Sequence, residues 1–236
     1  MSAAGRSAPL AAAVAAYAQA PRPRAATRWR EAALCVVDLE TTGLDPARDA
    51  IVSFAAIPID GGRIRVGDAL HHLVRPDRAL PAASIRIHGI RPADLAGAPA
   101  LPEVLPELVR ALTGRLLVAH AAWIERAFLR APLRAAGVSL PRPALDTTVL
   151  ARGWLGEEPG QEGSAPALAG LARRLGLPVH RQHHALGDAL TTAQVFLALA
   201  AHLDARRPQT VGSLAHGGRT LGERLTRRLR PGRERR

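Results

Sequence analysis

The chain has 236 residues, room for one domain of ordinary size plus extensions, and 47% of them are hydrophobic, enough for a real core. Its net charge of +12 rests on arginine alone; lysine is absent, which excludes a Walker A phosphate loop, whose lysine is indispensable. No Gly-x-Gly-x-x-Gly follows a strand pattern, so a dinucleotide-binding fold has no support, and a lone Cys35 excludes an internal disulfide.

Residues 1–30 carry five arginines and no acid. Within them, Leu10 to Tyr17 is an alanine-rich run that predicts a helix stopped by Pro21 and Pro23. Ending in Ala18-Gln19-Ala20, the run has the outline of a secretion signal. Its alanine core is weakly hydrophobic, no apolar stretch reads as membrane-spanning, and the expected location is cytoplasmic.

Next comes Ala32-Ala33-Leu34-Cys35-Val36-Val37, a short buried strand in which Cys35 reads as an inert thiol. It runs into Asp38-Leu39-Glu40 and leaves through Thr41-Thr42-Gly43. Side chains alternate along a strand, so Asp38 and Glu40 share one face. Two adjacent carboxylates repel and are costly to desolvate unless a cation sits between them, and a hard divalent ion suits such oxygens. Residues 50–59 and 63–74 flank Asp60-Gly61-Gly62, a hairpin signal, which predicts a three-stranded antiparallel start. Further on, the pattern predicts a helix over 102–112, a strand over 115–119 and a helix over 121–136 closed by Gly137. Helical stretches follow at 147–152, 165–175 and 186–203, the first two separated by a Gly/Glu/Pro-rich loop at 153–166. Strands first, then strands alternating with helices, indicate an α/β or α+β layered domain with a mixed sheet.

Three pieces, in order, carry a resemblance: Asp38-Leu39-Glu40-Thr41-Thr42-Gly43; His120-Ala121-Ala122-Trp123-Ile124-Glu125; and His183-His184-Ala185-Leu186-Gly187-Asp188-Ala189. Together they resemble the motifs of the DEDDh branch of DEDD-superfamily exonucleases, which includes the epsilon subunit of DNA polymerase III and RNase T. Ile87-His88-Gly89-Ile90 and Leu145-Asp146-Thr147-Thr148 look similar too, and the likeness runs from about residue 30 to 204. It implies a ribonuclease H-like fold, a mixed central sheet flanked by helices, within an exonuclease domain at residues 31–205. The second motif departs from the family's His-Asn-x-x-Phe-Asp: Ala121 replaces the Asn, and Glu125, one methylene longer, stands where the Asp is expected.

The resemblance implies that Asp38, Glu40, Glu125 and Asp188 hold two Mg²⁺ or Mn²⁺ ions and that His183 takes a proton from the attacking water. Thr41, Thr42 and His88 are carried over as substrate contacts. The implied reaction removes nucleoside monophosphates from a 3′ end, of single-stranded DNA first and RNA as the alternative. A binding module without catalysis is the other alternative, because of Ala121 and Glu125. Taken without the family, Glu125 reads as an exposed helix charge and Asp188 as a carboxylate favoured by the helix dipole. His180, His183, His184 and Asp188 could form a zinc cluster, but their spacing is irregular and no second cysteine exists. Asp146 is a candidate support for the ligands, with nothing in the sequence placing it among them.

Residues 206–236 form an arginine-rich tail with ten arginines and two glutamates. Leu221, Leu225 and Leu229 recur every four residues among them, the pattern of a short basic amphipathic helix. Residues 31–205, by contrast, are close to neutral, with 17 arginines against 18 acids. Basic ends suit a polyanion, or a polymerase or repair partner that presents one; they also suit plain solvated tails that raise solubility.

Overall fold

A computed structural model of the chain describes residues 7–140, 142–157 and 166–219. The proposed tail helix at Leu221–Leu229 and most of the loop at 153–166 lie outside these residues.

In chain order, helix α1 (Ala8–Gln19) precedes a 3₁₀ turn at Trp29–Glu31 and strand β1 (Leu34–Thr41). Strands β2 (Ile51–Asp60), β3 (Arg63–Ile64) and β4 (Leu70–Leu73) come next, then helices α2 (Ala82–His88), α3 (Pro92–Leu95) and α4 (Leu101–Ala111). The second half runs β5 (Leu116–Ala119), α5 (Trp123–Ala135), β6 (Leu145–Asp146), α6 (Thr147–Leu155), α7 (Leu168–Arg174), α8 (Ala185–Arg206) and α9 (Val211–Leu214). The sheet is mixed, in the order β3-β2-β1-β5-β6, with β4 also paired to β2. β1 runs antiparallel to β2 and parallel to β5, and β5 runs parallel to β6.

The hairpin turns where expected: Asp60 faces Arg63, and Gly61 and Gly62 both take positive φ (59° and 69°), which a tight two-residue turn demands. Its second arm is not one strand. A 3₁₀ turn at Val66–Asp68, with Arg65 Nε 3.3 Å from the Asp68 carboxylate, splits it into β3 and β4. Arg115, entering β5, grips the Asp60 carboxylate with both guanidinium nitrogens and donates to the Leu34 carbonyl, tying the start of β5 to the far end of the hairpin.

Alternation along β1 divides the core. Leu34 and Val36 pack on one face with Trp29, Ile57, Phe196 and Leu199, under α6, α7 and α8. Cys35 and Val37 pack on the other with Phe54, Leu108, Leu129 and Tyr17, under α1, α4 and α5. Asp38 and Glu40 continue the first series, so the strand period aims both carboxylates to the side where α8 lies. By length and composition α8 could cross a membrane, which corrects the reading that no stretch reaches that size. Its Ala189, Ala193, Phe196, Leu199 and Leu203 are instead buried against the sheet.

Segments outside residues 31–205 also pack onto this body. Ala13 and Tyr17 of α1 are buried, and the Tyr17 hydroxyl donates to the Ser139 carbonyl at 2.7 Å. Trp29 meets Phe196 edge-on, Arg28 bridges to Thr210, and Val211 and Leu214 are fully buried.

Candidate active site

At the carboxyl ends of β1 and β5, where ligand crevices form in sheets of this kind, lies a cleft of about 590 Å³. It is lined by Asp38, Glu40, Thr41, Thr42, His88, His120, Glu125, His183 and Asp188, among others. All eight residues predicted for the site therefore reach one cavity.

Ligand oxygens of Asp38, Glu40 and Asp188 all lie within 4.8 Å of one another. Among the described residues no other cluster of His, Cys, Asp or Glu meets that condition, and the histidines at 180, 183 and 184 form none. His180 Nε2 pairs with Gln194, and His184 stacks on His71 with ring centroids 4.7 Å apart, so the zinc alternative has no geometry behind it. Glu125 stands outside the triad. Glu125, carried by α5 from the opposite face of the sheet, lines the same cleft and is the first of the neighbouring charges that act on Asp38.

Glu125 is also not an exposed helix charge. It is 4% exposed, and its Oε2 is buried with no hydrogen-bond partner among the described residues. Burial pushes its carboxyl up to about 8, and Asp146 adds repulsion. Asp38 is raised well above the carboxylate range by burial first, then by Glu125, Asp188 and Glu40. Burial and Asp188 lift Glu40 to about 7, and burial raises Asp188, opposed by backbone and histidine contacts. Such crowding of acids is stable in the ionised form only when a cation neutralises it. All four donors are hard carboxylate oxygens and one buried oxygen is orphaned, so the residues fit Mg²⁺ or Mn²⁺.

The loop before α8 shapes the other wall. The His183 backbone N–H donates to Asp188 Oδ2 at 2.7 Å, and the residue sits at φ 53° with its side chain exposed to the cleft. The His180 N–H donates to Thr191 Oγ1, which in turn donates to the Gly187 carbonyl at 2.9 Å. On β4, His71 bonds Ser53 and props the His184 ring, so the strand behind the site braces this loop.

The motif-I loop is self-contained. Thr42, 4% exposed, donates its hydroxyl to Asp49 and accepts from the Ala50 N–H, while Thr41 donates to the Gly43 carbonyl. Their hydroxyls are thus committed to holding the loop. His88 is different: its Nδ1 accepts from the Ile90 N–H at 3.0 Å, which leaves the proton of the neutral ring on Nε2, buried and unpartnered. Burial and His183 lower its pKa, so the ring stays neutral and offers one N–H donor.

Four further residues take part, and of these the sequence reading gave a role only to Asp146, as a candidate support for the ligands. Asp146 accepts from the N–H groups of Ala121 (3.2 Å), Ala122 (2.9 Å) and Thr148 (2.8 Å), capping α6 and pinning the turn into α5. His120, at the end of β5, lines the cleft with Nδ1 2.8 Å from Thr147 Oγ1. Leu44 and Ile87 line it too, although they are 73% and 59% exposed. Two apolar side chains in water at a cleft mouth were the available signal for this last pair.

Residues 35–196 match the family described as exonuclease, of the RNase T type. The chain belongs to this exonuclease family. The DNA polymerase III subunit epsilon-like protein of Rhodobacter capsulatus is 40% identical over 182 residues, covering 76% of this chain and 25% of that one. The DNA polymerase III subunit epsilon of Aquifex aeolicus is 30% identical, covering 71% and 80%. Among solved structures, exonuclease X in complex with 5′ overhanging duplex DNA aligns with a TM-score of 0.59 at 24% identity, covering 77% of this chain and 99% of that one. The architecture of the exonuclease domain is therefore ribonuclease H-like, as the motifs implied. The chain spans between 12% and 27% of the length of the first four curated relatives it matches.

Proposed function

We propose that this domain is a divalent-metal-dependent 3′–5′ exonuclease that releases nucleoside monophosphates from single-stranded DNA. The observation that carries the reading is the convergence of Asp38, Glu40 and Asp188 within 4.8 Å, faced by a buried Glu125 with an unpartnered oxygen. Asp38, Glu40 and Asp188 would hold Mg²⁺ or Mn²⁺ with Glu125 completing the set, and bound ions supply Lewis acidity and neutralise charge on the scissile phosphate. His183, beside Asp188 and open to the cleft, accepts the proton of the attacking water. The Nε2–H of His88 donates to a substrate oxygen, and Leu44 and Ile87 give the terminal bases apolar contact. The relatives named for DNA polymerase III support DNA over RNA. A polymerase or repair partner engaged through the basic ends is part of the same proposal.

The test uses 5′-labelled single-stranded DNA with Mg²⁺ or Mn²⁺, beside EDTA and Asp38→Ala controls. A ladder shortening from the 3′ end, lost in both controls, is the expected result. Cleavage of a matched RNA alone would move the substrate to RNA. Intact DNA and RNA under every condition would reduce the domain to a binding module.

A further inference from the structure

The outer face of α5 carries Arg126, Arg130 and Arg134, spaced i, i+4, i+8, so they line up over about 12 Å on one side of the helix. Arg142 comes from the following loop into the same groove, whose volume is about 940 Å³. Trp123, 63% exposed, stands at the end of this groove nearest the cleft. Its neighbours Ile124 and Glu125 line the cleft itself, so the first turn of α5 is the wall between the two cavities. The one acid of α5, Glu125, is buried on the other side of that wall and neutralises none of these arginines. Asp146 also borders the groove, but its carboxylate is taken by the backbone of Ala121, Ala122 and Thr148. Among the described residues, Arg130, Arg134 and Arg142 have no carboxylate partner and are exposed. Burial and then Arg142 hold Arg126 below the usual arginine range.

Like charges at i, i+4 weaken a helix, and the surrounding domain is close to neutral, so this stripe is not a by-product of general basicity. An exposed indole beside a row of guanidinium groups is the chemistry that takes single-stranded nucleic acid, by base stacking and phosphate pairing. We infer that the α5 groove is a second nucleic-acid site that tracks the substrate strand on the 5′ side of the cleft, with Trp123 stacking a base and Arg130, Arg134 and Arg142 on successive phosphates. The inference rests on reading the cleft as the nuclease site and adds to it a length preference: strands long enough to reach the groove are held, very short ones are not.

The test compares the full chain with an Arg130→Ala, Arg134→Ala, Arg142→Ala triple variant. Fluorescence anisotropy in EDTA gives affinities for a 15-nucleotide and a 4-nucleotide oligothymidylate across a salt series. The triple variant should bind the 15-mer at least about 10-fold more weakly, with its log–log salt slope smaller by about 2 for three lost phosphate contacts. Binding of the 4-mer and its hydrolysis with Mn²⁺ should be unchanged. Trp123→Ala should weaken the 15-mer while leaving the salt slope in place, since stacking releases no counterions. Unaltered 15-mer affinity and slope would overturn the inference, as would equal losses on both lengths. A wild type that hydrolyses nothing refutes the nuclease reading of the cleft, while the binding series still decides the groove.

Discussion

Two glycine-to-alanine substitutions, both in helices, should have opposite effects. Gly187 lies in the first turn of α8, and a Cβ built there would stand 2.1 Å from the Arg181 carbonyl oxygen and 3.0 Å from its carbon. Ordinary contact begins at 3.4 Å, so the loop carrying His183 must retreat by more than about 1 Å. The clash is with backbone, which cannot rotate away. Overpacking of this kind costs about 1–3 kcal/mol, or roughly 2–10 °C in Tm for a chain of this size. The same displacement moves the His183 N–H off Asp188 and misplaces the ring, and an error of about 1 Å costs on the order of 100-fold in rate. Gly170 in α7 has nothing within 4 Å of the same built Cβ, so Gly170→Ala should be neutral in activity and gain about 0.5–1 kcal/mol from helix propensity. Differential scanning fluorimetry and Mn²⁺-dependent hydrolysis of a single-stranded oligonucleotide read both effects. Wild-type rate in Gly187→Ala, or a Tm shift of the same sign in both variants, would refute this account of the close approach.

Other outcomes follow from the acid cluster, the second motif and the thiol. Glu40 and Glu125 have folded pKa values near 7 and 8 against about 4.5 unfolded, so their contribution is complete below about pH 4.5 and is lost as pH rises through 7 to 8. In EDTA the Tm should therefore fall between pH 5 and 8.5, and added Mg²⁺ or Mn²⁺ should raise it more at pH 8 than at pH 6; a pH-independent metal effect would contradict this. Ala121 sits at φ 60°, a left-handed conformation that a plain Cβ disfavours and Asn tolerates. Ala121→Asn should stabilise the domain by about 0.5–1 kcal/mol in urea titrations, and a loss of stability would show that the turn has adapted to alanine. Burial pushes the fully buried Cys35 thiol up to about 12, so it should resist alkylation at pH 8 until denaturant is added; modification at the rate of a free thiol would disprove its burial.

The parts of the molecule that local pattern controls were legible in the sequence. Alternation placed Asp38 and Glu40 on one face, Gly61-Gly62 marked the hairpin, and Gly137 closed α5 at a φ of 76°. What escaped depends on contacts between distant segments. β6 is two residues long and exists because Leu145 and Asp146 pair with Val118 and Ala119. α2 and α3 are too short for a hydrophobic period to emerge, although Gly89 at φ 73° closes α2 as a glycine should. The motif register placed Glu125 in the site, but helical spacing alone read it as a surface charge, because spacing cannot tell which side of a short helix is covered by a sheet end. His71 supports the site from β4, and no spacing rule links it to the site; Asp146 was legible as a candidate support, but the backbone groups it holds were not. That α5 and α8 bring Glu125 and Asp188 to one cleft from opposite faces of the sheet likewise required the fold.

The placement of Asp188 on α8 also has a consequence for the nascent chain. β1 brings Asp38 and Glu40, but the third member of the triad is delivered by a helix that ends at Arg206. A ribosome must therefore release nearly the whole domain before any metal-binding cluster can assemble. Fragments that stop short of α8, whether from premature termination or proteolysis, are expected to carry the acidic strand without its partner and to leave nucleic acids intact. The fold thus ties assembly of the candidate metal cluster to the completion of α8.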